Sequence, residues 1–247
     1  MNLCIFKKIL LVACLFIFSS SIAFASEVMD DMLLNAVANN NLELAKMAGA
    51  NGANMNYDKK NHYTPLTLAV KNKNVAMVSY LLNNGADPNQ KTDRFSYLDT
   101  PLIFAVDNDD LAIAQMLVQA GADVNTPREM KKDDLFSFAT NADAATPLIF
   151  AIQKEMTDRP SLLMVQFLVS KGADVNQANK YGYTPLMAVA EYKWGNQQQN
   201  RCQIAKVLLQ AGADPSKKND KGKTALQYAI DTNFVEMINL LLPISPK

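Results

Sequence analysis

The chain is short of the side chains from which most active sites are assembled. Its 247 residues include one histidine, His62, and three cysteines, of which Cys4 and Cys14 fall in the first 25 residues and Cys202 stands alone in the rest. Zinc takes about four Cys, His or carboxylate ligands, and neither a second histidine nor a cysteine pair is at hand to complete a site around His62. His62 therefore reads as a turn residue, at the place that Gly182 and Gly222 hold further along. Cys202 lacks the histidine base that would activate a thiol nucleophile. No glycine-rich phosphate loop and no Gly-x-Ser-x-Gly turn occur, which removes the common nucleotide-binding and serine-hydrolase readings. Lys plus Arg equals Asp plus Glu at 24 each, so no basic excess draws the chain to nucleic acid. The expectation is a protein that is not an enzyme and takes no cofactor or metal.

What the N-terminus does contain is an export signal in pattern. Lys7 and Lys8 supply a positive start, Ile9 to Phe18 an unbroken run of ten apolar residues, and Ala23-Phe24-Ala25 a small-x-small cleavage site. A retained anchor needs about 20 apolar residues to span a bilayer, so residues 1–25 are expected to be removed between Ala25 and Ser26, with no stable membrane insertion afterwards. Leu11-Val12-Ala13-Cys14 looks like a bacterial lipoprotein processing site but would leave only five apolar residues after Lys8. Removal takes away two lysines and no acid, leaving 22 basic against 24 acidic residues, a small negative excess that favours solubility and steers no particular partner. The exported chain then holds one cysteine and cannot close an internal disulfide, so its fold must rest on packing. Outside the signal no Asn-x-Ser/Thr sequon occurs, which points to a bacterial periplasm or secretion from a bacterium.

From Asp30 onward the chain repeats itself. Thr64-Pro65-Leu66 returns as Thr100-Pro101-Leu102, Thr146-Pro147-Leu148 and Thr184-Pro185-Leu186, then in worn form as Thr224-Ala225-Leu226. Gly85-Ala86-Asp87 returns as Gly121-Ala122-Asp123, Gly172-Ala173-Asp174 and Gly212-Ala213-Asp214, after a degenerate Gly52-Ala53-Asn54. Threonine is placed to cap a helix whose first position tolerates proline, and glycine to end a second helix in the left-handed conformation. Residues ten, seven, four and three before Gly85, Gly121, Gly172 and Gly212 are apolar, as in Val75, Val78, Leu81 and Leu82, with Leu42 and Ala45 in the first two slots before Gly52, and predict the buried face of that second helix. Cys202 falls in the first of those slots and is expected to be a buried, inert thiol. The pairs Asp87/Asn89, Asp123/Asn125 and Asp174/Asn176 look like fragments of a calcium loop but lack a closing glutamate, and read as turn-stabilising side chains.

The Thr-Pro-Leu-x-x-Ala runs at 64–69, 100–105 and 146–151, each paired with Gly-Ala-Asp, resemble the ankyrin repeat, whose signature is T-P-L-H-x-A over about 33 residues. The resemblance covers Asp30 to Pro243. It implies an all-α solenoid of stacked helix-turn-helix units with β-hairpin or turn fingers, in which neighbours supply each other's core. Residues 26–247 are then one domain of five repeats, about 30–61, 62–97, 98–143, 144–181 and 182–247, with a C-terminal capping repeat from 222. The family's histidine is replaced by Thr67, Ile103, Ile149, Met187 and Gln227, so one local hydrogen bond is expected to be lost in every repeat.

Departures from the regular spacing locate the candidate site. The steps from Gly85 to Thr100 and from Gly121 to Thr146 are lengthened, which places long fingers at Asn89 to Leu98 and Asn125 to Ala144, and extra residues between helices occur at Glu155 to Pro160 and Glu191 to Gln199. Insertions in repeat arrays often mark the binding face. The long fingers carry Phe95, Tyr97, Phe136 and Phe138, the next finger carries Tyr181 and Tyr183, and Trp194 lies in the longest helix–helix insertion. These aromatics are the candidate partner-binding residues, because aromatic side chains bury large rigid area in interfaces. The competing reading is that the phenylalanines fold back on an adjacent repeat, the tyrosines are ordinary finger residues and Trp194 faces away from the concave side. The cluster from Arg128 to Asp134 mixes charge signs and reads as a solvated loop. The function expected is that of a monomer that binds another protein through its concave face and long fingers. An inhibitor or immunity-type protein, a chaperone-like protector of an exported enzyme, a host-directed factor and a membrane-tethered scaffold all fit.

Overall fold

The structure, a computed structural model, describes residues 26–58, 63–94, 97–130, 144–153, 161–191 and 198–245. The chain divides into two compact units, one ending at Asp87 and the other beginning at Pro88. The first holds two helix pairs, α1 (26–38) with α2 (Leu42–Ala50) and α3 (Pro65–Lys71) with α4 (Val75–Asn83). The second holds α5 (Pro101–Asp107) and α6 (Leu111–Gln119), α7 (Pro147–Gln153) and α8 (Leu162–Ser170), α9 (Pro185–Ala190) and α10 (Gln198–Gln210), and α11 (Ala225–Asp231) and α12 (Val235–Leu241). Within this unit α5, α7, α9 and α11 stack in sequence as an inner row, and α8, α10 and α12 stack as an outer row. The fold is the mostly helical stack expected from the repeats.

Local chemistry explains the helix ends. The first helix of each pair from α3 onward begins where a threonine hydroxyl accepts from the backbone three residues on: Thr64 from Thr67, Thr100 from Ile103, Thr146 from Ile149, Thr184 from Met187 and Thr224 from Gln227, at 3.2 to 3.4 Å. In the first of these repeats the side-chain bond expected to be missing is made after all. The Thr67 hydroxyl donates to the Thr64 carbonyl at 3.0 Å and lies 2.9 Å from the Thr64 hydroxyl. The outer helices are capped by Asn41, Asn74, Asp110 and Ser161. Gly85 ends α4 at φ +89°, while Ala86 N–H donates to the Leu81 carbonyl and Gly85 N–H to that of Leu82. This is the left-handed helix stop for which glycine costs least.

The outer-helix face differs from the expected one by a rotation. The buried positions lie eight, seven and four residues before the glycine: Met77, Val78 and Leu81; Ile113, Ala114 and Leu117; Met164, Val165 and Leu168; Ile204, Ala205 and Leu208. At 100° per residue Val75 sits about 110° around α4 from the midline of Met77, Val78 and Leu81, and it is 46 % exposed. Cys202, in the equivalent slot, is half-buried and not a core residue. Burial raises its thiol pKa, and the nearby Glu236 carboxylate adds to the shift. The insertion before α10 is partly helical, since α10 runs 13 residues against nine in α4, α6 and α8.

The two long fingers are not separate loops. β1 (Thr92–Arg94) and β2 (Tyr97–Asp99) form a hairpin in the register Thr92 to Asp99 and Arg94 to Tyr97. β3 (Glu129–Met130), from the following finger, pairs antiparallel with β2. One three-stranded sheet therefore joins finger residues from two successive repeats.

Candidate functional site

Successive fingers are tied by a ladder of asparagines. Asn56 accepts from Asp87 N–H at 2.6 Å and donates to the Gly85 carbonyl at 3.0 Å. Asn89 does the same for Asp123 and Gly121, Asn125 for Asp174 and Gly172, and Asn176 for Asp214 and Gly212. Each asparagine of one repeat thus satisfies a donor and an acceptor in the Gly-Ala-Asp of the next. The aspartates in turn accept from the backbone two residues on, as Asp123 does from Asn125 and Asp174 from Asn176, which agrees with a turn-stabilising role. Ser216 occupies the fifth asparagine position, and no Gly-Ala-Asp follows it.

The sheet is organised around Arg128. This residue is 4 % exposed and Asp99 is fully buried. Arg128 Nε donates to Asp99 Oδ1 at 3.0 Å and Nη2 donates to Oδ2 at 2.8 Å, a two-pronged pair. The guanidinium carbon lies 4.2 Å from the Tyr97 ring centroid and 4.3 Å from that of Phe150. The backbone N–H of Arg128 donates to the Ala145 carbonyl at 3.1 Å, and on the outer side Lys91 pairs with Glu129. The reading of Arg128 as part of a solvated loop is overturned. Its carboxylate partner lies 29 residues earlier, at the end of β2 in the preceding finger, and nothing local in the sequence announces that pairing.

A second polar cluster lies between the last two fingers. Tyr183, 1 % exposed, donates its hydroxyl proton to Glu191 Oε2 at 2.5 Å and meets Tyr228 edge-on, with ring centroids 5.4 Å apart at 87°. Burial pushes the Tyr183 phenol well above its ordinary pKa near 10, and the Glu191 charge adds to the effect. Tyr228 is raised for the same two reasons, burial first. Its hydroxyl accepts from Asn219 Nδ2 at 2.8 Å. Asn219 also closes the last finger by accepting from Lys221 and Lys223 N–H, as Asn179 does from Tyr181 and Tyr183 in the finger before. Tyr181, Glu191, Asn219, Asp220, Lys221, Lys223 and Tyr228 line a cleft of about 320 Å³.

The family description "Ankyrin repeats (3 copies)" matches residues 33–128, 131–219 and 161–247. The chain belongs to the ankyrin repeat family. Ankyrin repeat proteins of known sequence share parts of it. It is 36 % identical over 96 residues to protein R664 of Acanthamoeba polyphaga mimivirus, covering 39 % of this chain and 54 % of that one. It is 32 % identical over 108 residues to an ankyrin repeat-containing protein of Treponema pallidum, covering 43 % and 33 %. The chain thus spans about half of the first relative and a third of the second. Solved structures align over more of it. An ankyrin repeat domain from Acinetobacter baumannii superposes with a TM-score of 0.70 at 28 % identity, covering 87 % of this chain and 98 % of that one. A chain from the complex of the Bd0816 predatory endopeptidase of Bdellovibrio bacteriovorus with the immunity protein Bd3460 superposes at 0.65 and 26 % identity, covering 86 % and 97 %.

In this ankyrin repeat protein the expected site residues have different fates. Phe95, Phe136, Phe138 and Trp194 lie outside the described residues, as does His62. Tyr97 is half-buried with one ring face against Arg128. Tyr181 is half-buried at the cleft, with Lys180 Nζ 5.1 Å from its ring centroid. Tyr183 does not offer its ring to a partner, because the final repeat covers it with Tyr228. Sequence reasoning missed Glu191, Asn219 and Tyr228. The available signal was the matched pattern Asn179-x-x-Gly182-x-Thr184 and Asn219-x-x-Gly222-x-Thr224. Among the described residues no three His, Cys, Asp or Glu side chains converge as metal ligands, and no helix is long and apolar enough to cross a membrane.

Proposed function

We propose that this ankyrin repeat protein is exported into a bacterial envelope and binds there to a protein as an immunity-type inhibitor, without catalytic activity of its own. The observation that carries this reading is the near full-length likeness to a chain from an endopeptidase–immunity complex, 86 % of this chain against 97 % of that one. A whole-chain correspondence says more about use than a shared repeat would, because ankyrin folds serve many roles and function resides in the surface. The signal-like N-terminus supports export, and the sheet held by Arg128 supports a finger surface ordered before binding, which lowers the entropy lost on association.

Crosslinking in native cells, followed by fractionation and identification of the captured protein, tests the proposal. The expected result is an exported hydrolase whose activity falls when the purified ankyrin repeat protein is added. Capture of a partner whose activity is unchanged would sink the inhibitor reading, and recovery of the protein only from the cytoplasm would sink export.

A further inference from the structure

The eight exposed large hydrophobic side chains among the described residues are not spread evenly. Val28 and Met47 belong to the first helix pair, and Ile230, Val235, Leu242 and Ile244 belong to the last pair or follow it directly. Terminal repeats ordinarily carry a polar outer face, because no neighbour covers them. Here both terminal pairs expose apolar side chains.

The repeat register shows which way these side chains point. Five residues before the closing glycine stand Met47, Tyr80, Met116, Phe167 and Val207, and Leu240 takes that slot in the last repeat. Tyr80 gives the direction of the slot. Its hydroxyl donates to the Ala45 carbonyl of α2 at 3.3 Å and packs so close over Gly49 that a Cβ there would collide with it. The slot therefore faces back toward the preceding repeat, and the slot of Gly49, three residues before the glycine, faces forward. Tyr80, Met116, Phe167, Val207 and Leu240 are half-buried, whereas Met47 is 57 % exposed. In the forward slot Leu82, Val118, Val169 and Leu209 are half-buried, whereas Leu242 is 60 % exposed. The inner row repeats the pattern, since Val70, Val106, Ile152 and Ala190 are buried and Ile230, in the same position of α11, is 47 % exposed. Each slot opens to solvent only in a terminal repeat.

We propose that copies of this chain associate head to tail, the trailing face of one (Ile230, Leu242 and Ile244) receiving the leading face of the next around Met47. The repeat stack itself identifies the occupant. These faces are the two halves of the contact that already joins successive repeats inside the chain, and each end of one copy supplies the half that the other end lacks. The charges nearest to them in sequence are paired within the chain: Lys46 with Glu43 beside Met47, and Lys223 and Gln227 with Asp231 beside Ile230. A contact between two different faces does not stop at a two-fold dimer; it continues into a ring or an open string. Such a chain is not the monomer expected from its sequence. The association is separate from the inhibitor reading, whose surface is the fingers and not the ends of the stack.

Analytical ultracentrifugation of the full mature protein over a concentration series tests the proposal. The weight-average mass is expected to climb with concentration. Met47→Glu and Leu242→Glu should each raise the dissociation constant at least about thirtyfold, the scale of a central interface contact. Both side chains are already exposed, so the thermal midpoint should not change. Mixed together, the two variants should form a two-chain species and nothing larger, because only one intact pair of faces remains. Leu163→Glu is the control, at a slot exposed in every repeat from Glu43 to Glu236, and should associate as wild type does. A mass of one chain at every concentration up to about 1 mM would overturn the proposal. So would equal loss of association in Leu163→Glu, a two-chain species that Met47→Glu leaves intact, or a mixture of the two variants that stays monomeric.

Discussion

Arg128 is held on three sides, by the Asp99 carboxylate and by the rings of Tyr97 and Phe150. A buried pair of this kind adds little over an apolar replacement of both members, but removing one member strands the other charge. Arg128→Met is therefore expected to lose about 3 to 5 kcal/mol in urea unfolding, and pairing it with Asp99→Leu should restore most of the loss. If the single variant is as stable as wild type, the pair does not organise the sheet. Tyr183 governs a different condition. Its folded pKa is raised by burial and by Glu191, so above the ordinary phenol pKa the folded chain keeps a proton that the unfolded chain has released. Stability from this group is complete below pH 10 and declines as the pH rises beyond it. Tyr183→Phe should be less stable at neutral pH, having lost the bond to Glu191, yet its stability should fall less steeply above pH 10 than that of wild type. Parallel slopes in urea unfolding across that range would refute the assignment.

At the scale of elements, the asparagine ladder converts a sequence repeat into a mechanical one. Each rung joins finger n to the helix stop of repeat n+1, so helix ends and fingers are set together. Asn125→Ala removes both bonds of one rung and should cost about 1 to 2 kcal/mol. Ser216→Asn, which restores the consensus residue where no further Gly-Ala-Asp exists to receive it, should change stability by no more than about 0.5 kcal/mol. Equal and substantial effects at both positions would show that the asparagine acts within its own turn. The capping threonines and terminal glycines were readable from the sequence because their chemistry is local. The outer-helix face was read about a sixth of a turn off because the apolar stripe is wider than the buried one. Leu163, at 67 % exposure, and Val75 are apolar without being core.

At the scale of the whole molecule, export carries its own prediction. N-terminal sequencing of the protein from the periplasmic fraction of expressing cells should begin at Ser26, and an intact Met1 in a membrane fraction would replace the soluble reading with a tethered one. The ankyrin family and the places where the spacing breaks were determined by the sequence alone, because each depends on residues close together in the chain or on a pattern that recurs along it. Only the tertiary structure decided that two long fingers share one sheet, that Arg128 is buried against Asp99, and that Tyr183 is covered while Tyr228 borders a cleft. Those outcomes depend on pairs 29 residues apart for Arg128 with Asp99 and on which repeat has a neighbour to cover it. The position that Tyr183 fills in the fourth repeat, sealed there by Tyr228, is held by Lys223 in the finger that follows.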